Sequence, residues 1–118
     1  MKEFCVDLEL AKELKENGFP QDTDKVWYKY GNPLIDEYTD EIVSRLWANN
    51  YKVRENNIQC SAPISDEILK ELPPNSYCGK DKENFICAYL DFEEEDKKKL
   101  SNALAKMWLY LKKAGYIK

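Results

Sequence analysis

The 118-residue chain contains no histidine. That removes the side chain that most often acts as a general base near neutral pH and most often ligates a metal. Ser-His-Asp and Cys-His arrangements are excluded with it. Glycine is scarce too: Gly18, Gly31, Gly79 and Gly115 stand too far apart to form a GxGxxG or P-loop phosphate cradle. The four cysteines, Cys5, Cys60, Cys78 and Cys87, include no CxxC spacing. A zinc site would need thiolates alone, without paired ligands to start from. The sequence therefore predicts no cofactor and no metal, and cysteines that stay reduced as small apolar residues. No apolar run approaches the length of a membrane span. The opening MKEFCVDLEL lacks the apolar stretch of a secretion signal. The expected setting is the cytoplasm, without membrane contact.

What is present is globular in kind. Hydrophobic residues at 43% and charged residues at 34% are far from the composition of a disordered chain. A chain of this length buries roughly two thirds of its unfolded surface and needs no staple. Aromatics, at 13%, are numerous enough to build much of a core. The net charge of −4 argues against sequence-independent binding to nucleic acid, which requires phosphate neutralisation. The charge is uneven, however. Residues 97–118 hold seven lysines and no acid, so they carry +7 and the other 96 residues carry −11. This reads as a basic C-terminal helix laid on an acidic body.

The element order predicted from pattern is α-β-α-β-α-β-α. Asp7 is placed to cap a first helix whose face is Leu10, Ala11 and Leu14, and Gly18 to end it. The stretch KVWYKY, residues 25–30, is rich in strand formers, with Val26, Tyr28 and Tyr30 on one face and Trp27 and Lys29 on the other. Gly31-Asn32-Pro33 is expected to break that strand. Thr39 is expected to cap a second helix carrying Ile42, Val43, Leu46 and Trp47, with Tyr38 and Val43 as a hydrophobic staple. Tyr51 to Cys60 reads as an ambiguous extended edge. Ser65 is expected to cap a short helix, with Ile64 and Leu69 as its staple, ended at Pro73-Pro74. NFICAYL, residues 84–90, is apolar on both alternating faces, as a covered central strand is. The acids of EEED, residues 93–96, suit the positive end of the last helix better than an ion site. Together these give a single α+β domain over residues 1–118, a small sheet of about three strands with about four helices packed on it.

On a helical wheel, Leu100, Ala103, Leu104, Met107, Leu111 and Ala114 form the core stripe of that last helix. Trp108 and Tyr110 flank it, and Leu109 falls opposite, beside Lys106 and Lys113. Trp108 and Leu109 are therefore candidates for a partner-binding face, since tryptophan is enriched among interface anchors. Lys106, Lys112 and Lys113 would supply its charge. Trp27 and Lys29 form a second candidate, because interleaved aromatic and basic residues on a strand can stack bases.

Three stretches, LELAKELKENGFPQ, CSAPISDEILKELP and ALAKMWLYLKKAGYI, together resemble a group of small proteins of bacteriophages and integrated mobile elements. The resemblance implies a bacterial cytoplasm and a mobile genomic setting. It brings no activity and no catalytic residues. The resulting expectation is a non-enzymatic accessory protein, a monomer or weak homodimer, acting through contacts with a protein partner. The alternative is a nucleic-acid binder using the basic last helix or the Trp/Tyr strand. An enzyme would have to work with Asp, Glu, Lys, Tyr or Cys alone.

Overall fold

In chain order the elements are α1 (Leu8–Glu16), β1 (Lys25–Asn32), β2 (Glu37–Ser44), α2 (Arg45–Asn50), β3 (Ile58–Ser61), α3 (Ser65–Leu69), β4 (Tyr77–Asp81), β5 (Asn84–Tyr89), β6 (Phe92–Asp96) and α4 (Leu100–Lys113). The structure, a computed structural model, describes residues 4–32, 37–50 and 58–117. The expected break at Pro33 and the expected extended pair Tyr51 and Val53 lie outside the described residues. The fold class is α+β, with four helices among the described residues. The strands, however, form two antiparallel three-stranded sheets, ordered β2-β1-β3 and β4-β5-β6, rather than one sheet of about three.

Two segments expected to be helical are strands. Residues 37–44 pair with β1 along their whole length, from Lys25 opposite Ser44 to Asn32 opposite Glu37. The ladder with β1 holds the segment extended, and Thr39, Ile42 and Val43 are β-branched residues that fit it. The expected cap Thr39 and staple pair Tyr38 and Val43 therefore fall inside a strand, with Tyr38 opposite Gly31 in the register. The helix begins after Ser44, whose Oγ accepts the Trp47 N–H at 3.1 Å. Residues 92–96 likewise pair with β5. Glu93 and Glu95 point to solvent while Phe92, Glu94 and Asp96 are half-buried, a period of two rather than 3.6.

The helix stops follow the sequence. At the end of α1, Gly18 (φ 89°) donates to the Lys15 carbonyl and Phe19 to the Leu14 carbonyl. At the end of α4, Gly115 (φ 88°) donates to Lys112 and Tyr116 to Leu111. Both are Schellman motifs, in which a glycine takes the left-handed position. The starts do not follow it. Asp7 occupies the cap position of α1 without a side-chain capping bond. In α3 the cap position is Ile64, whose N–H is accepted by Glu67 Oε1 at 3.0 Å. Leu69 is exposed, and Ile68 is the buried residue of that turn.

The main core gathers side chains from both sheets and three helices, among them Leu14, Trp27, Cys60, Ile68, Cys87, Leu104, Met107 and Leu111. At its centre lies α4, packed on β4, β5, β6, α1 and α3. Ser101 to Ala105, Met107 to Leu109 and Leu111 are all buried. Only a narrow strip, Lys106, Tyr110 and Lys113, is left toward solvent, so the core stripe is far wider than a one-sided helix would have. A smaller cluster, Val26, Tyr28 and Ala48, with Trp47 packed against it, fills the opposite face of β1. The Tyr28 and Trp47 rings meet edge to face at 5.4 Å.

Candidate interaction surface

The expected partner face on α4 is closed. Trp108 is 3% exposed and Leu109 5%. The Trp108 ring packs edge to face on Phe19 at 5.1 Å, with Lys112 Nζ 6.0 Å from its centroid. Lys106 donates to the Glu95 carbonyl and to Asp96 Oδ2, each at 3.0 Å. Lys113 lies 3.9 Å from Glu13 Oε2. On β1, Trp27 is buried and its Nε1 donates to the Val6 carbonyl at 3.0 Å, while Lys29 is exposed. These residues do not converge. The two tryptophans are core, and Lys106 is committed to an internal clamp.

Among the described residues, two clamps account for the carboxyl groups whose pKa values move. Asp7 pairs with Lys99, whose Nζ also donates to the Cys5 carbonyl. Asn102 completes the set: its Nδ2 donates to Asp7 Oδ2 at 2.8 Å and its Oδ1 accepts the Asp7 N–H at 3.0 Å. Burial alone would raise the Asp7 carboxyl, but Lys99 and Asn102 outweigh it and hold the pKa below the usual value. Asp96 closes the turn into α4 by accepting the Lys98 and Lys99 N–H groups at 2.8 and 2.9 Å. Burial opposes its ionisation as well, and the Lys99 N–H and Lys106 ammonium overcome it. Both carboxylates join α4 to the rest of the chain.

A cleft of about 210 Å³ lies between Phe19–Thr23 and α3, lined by Asp22, Glu67, Lys70 and Glu71. Glu67 is engaged there in holding backbone, accepting the Ile64 and Asp24 N–H groups. Among the described residues, no group of three or more Cys, Asp or Glu is placed to hold a metal ion.

The exposed apolar surface lies elsewhere. Leu90 (65% exposed), Tyr110 (41%) and Tyr116 (50%) lie at one end of the second sheet, by the β5–β6 turn; Tyr77 (61%) is at the same end but, paired with Ala88 rather than Tyr89, on the other face. Tyr77 opens β4 opposite Ala88, and Leu90 sits two residues on, in the β5–β6 turn. Phe92, the first residue of β6, packs on Tyr110 with centroids 5.0 Å apart and on Tyr116 at 5.4 Å; Tyr116 also meets Tyr89 at 6.3 Å. Exposed acids, Asp91 and Glu93, accompany this end on the turn and β6.

Leu90 stands out for its backbone, at φ 55°. The left-handed region is unfavourable for a bulky residue by about 1–2 kcal/mol, and two-residue hairpin turns favour Asn or Gly there. None of these four positions was read from the sequence as a site, although the two-residue gap between NFICAY and FEEED was the available signal of a hairpin. In comparisons with known protein families, curated proteins and solved structures, nothing matches this chain.

Proposed function

We propose that this chain is a non-catalytic docking protein that binds a partner protein through the end formed by Leu90, Tyr110 and Tyr116. The observation that carries this reading is Leu90, a large apolar side chain exposed at a strained turn position where a smaller polar residue would serve the fold better. The acids beside it on the turn and β6 call for a partner with basic residues around an apolar knob, which would also speed encounter at low salt. The accessory role in a phage or mobile element belongs to the same proposal and rests on the sequence resemblance alone.

Leu90→Asn is the decisive variant. It removes the apolar side chain and relieves the backbone, so stability should rise by about 1 kcal/mol while partner capture is lost. Immobilised wild-type protein, Leu90→Asn and Leu46→Ser are compared on lysate of the source organism. Leu46 is exposed as well but lies on α2, beside the other sheet. The expected result is a basic protein held by wild type and by Leu46→Ser but not by Leu90→Asn. Equal capture by all three, or no capture, would overturn the reading. A wild-type dimer in sedimentation that Leu90→Asn dissolves would replace the basic partner with a second copy of the chain.

A further inference from the structure

Cys78 on β4 and Cys87 on β5 lie directly opposite one another in the antiparallel register. The pair Asp81 and Asn84, which closes the two-residue turn, is hydrogen-bonded, and pair types alternate from there. Lys80 with Phe85 is then non-hydrogen-bonded, Gly79 with Ile86 hydrogen-bonded, and Cys78 with Cys87 non-hydrogen-bonded. The far side of β5 agrees. Counting from Tyr89 and Phe92, Cys87 and Glu94 form a hydrogen-bonded pair, so Cys87 directs its N–H and C=O away from β4. In a non-hydrogen-bonded pair the Cα atoms stand about 4.5 Å apart, inside the roughly 4.4–6.8 Å that a disulfide spans.

Both thiols are free, and Cys78 packs against the core cluster that contains Cys87. Their access differs. Cys87 is fully buried, while Cys78 is half-buried. A small reagent can therefore reach one sulfur, with the other held opposite it. The remaining cysteines lack this relation: Cys60 faces Trp27 across the ladder, and Cys5 bridges to Ile64.

We propose that Cys78 and Cys87 are a thiol–disulfide couple, converted by a low-molecular-weight disulfide into a cross-strand bond between β4 and β5. Cys78 gives its proton to solvent, and its thiolate attacks one sulfur of the reagent. This forms a mixed disulfide and expels one thiolate, which takes up a proton. Cys87 then gives up its proton and attacks the Cys78 sulfur, expelling the second thiolate. Two protein thiols are oxidised, and one disulfide is reduced to two thiols. Burial pushes the Cys87 thiol up to about 12, with Cys78 and Glu94 adding to it. Burial also raises Cys78, assisted by Asp66 of α3. The exchange is accordingly slow at neutral pH and quickens in mild alkali. Once formed, the bond fastens the edge strand β4, whose first residue is Tyr77.

The test incubates the folded chain with excess oxidised glutathione at about pH 8.5, near the ordinary thiol pKa. Thiols are counted under denaturing conditions, and peptides are mapped by mass spectrometry. Wild type should fall from four thiols to two, retain no glutathione, yield a Cys78–Cys87 linked peptide and regain four thiols with dithiothreitol. Cys78→Ser should keep its three thiols unreacted. Cys87→Ala should hold one glutathione on Cys78. Should Cys87→Ala fail to fold, wild type and Cys78→Ser decide the matter. Four persisting thiols in wild type, glutathione lodged stably on Cys78, or a link through Cys5 or Cys60 would each overturn the proposal.

Discussion

Leu109 shows how far a single side chain can depart from its place on a helical wheel. The wheel sets it opposite the core stripe, yet it is as buried as Trp108. The wheel assumes one dry side, whereas α4 is enclosed by a sheet and two helices. Leu109→Ala should therefore resemble Leu111→Ala, each losing about 2–5 kcal/mol through the cavity left behind. Urea denaturation of both variants checks this. A loss near zero for Leu109→Ala beside a large one for Leu111→Ala would return Leu109 to the surface. Leu90 was hidden from sequence reasoning for a related reason. Its apolar side chain reads as the last residue of a buried strand, and only the pairing of β5 with β6 makes it a turn.

At the scale of elements, the legible signals were local ones. Gly18 and Gly115 mark the helix ends because a left-handed residue is needed there whatever surrounds the helix. A Cβ at either position would meet nothing within 4 Å, so a substitution disturbs the backbone alone. Gly18→Ala and Gly115→Ala should each destabilise by about 1 kcal/mol, measured by chemical denaturation. An unchanged midpoint for either would mean that its helix end does not need the left-handed turn. The central strand NFICAY and the alternation of Val26, Trp27 and Tyr28 were legible for the same reason, since each carries its period within itself. The segments EYTDEIVS and FEEED were not. Their local cues, an apparent Thr cap and an acidic first turn, fit a helix start, and only pairing with the preceding strand decides otherwise. Asp7 and Asp96 illustrate the point from the other side. Each has the chemistry of a cap, but Asp7 is claimed by Lys99 and Asn102 of the far terminus.

Over the whole molecule, the basic C-terminal segment is fitted into the acidic body by contact. Lys99 pairs with Asp7, Lys106 with Asp96 and Lys113 with Glu13. The pH dependence of stability follows from the groups this packing perturbs. Asp7 and Asp96 have lowered folded-state pKa values, against about 3.9 in an unfolded chain. Above about pH 5 both states are ionised and the clamps contribute fully. As pH falls, the unfolded chain binds protons before the native one, so stability declines and continues to decline as the native carboxyls protonate. The thiols bound the other side. Burial pushes Cys60 up to about 11 and Cys87 up to about 12. Below about pH 8.5, the ordinary thiol value, both states keep their thiol protons. Above it the unfolded chain loses protons that the native core retains, so stability falls again as pH rises toward those values. Urea midpoints measured with reductant present should therefore form a plateau from about pH 5 to about pH 8.5, with a decline on each side. Cys60→Ala should make the alkaline decline shallower and leave the acid decline in place. An alkaline decline of equal depth in that variant would show that Cys60 is not among its sources.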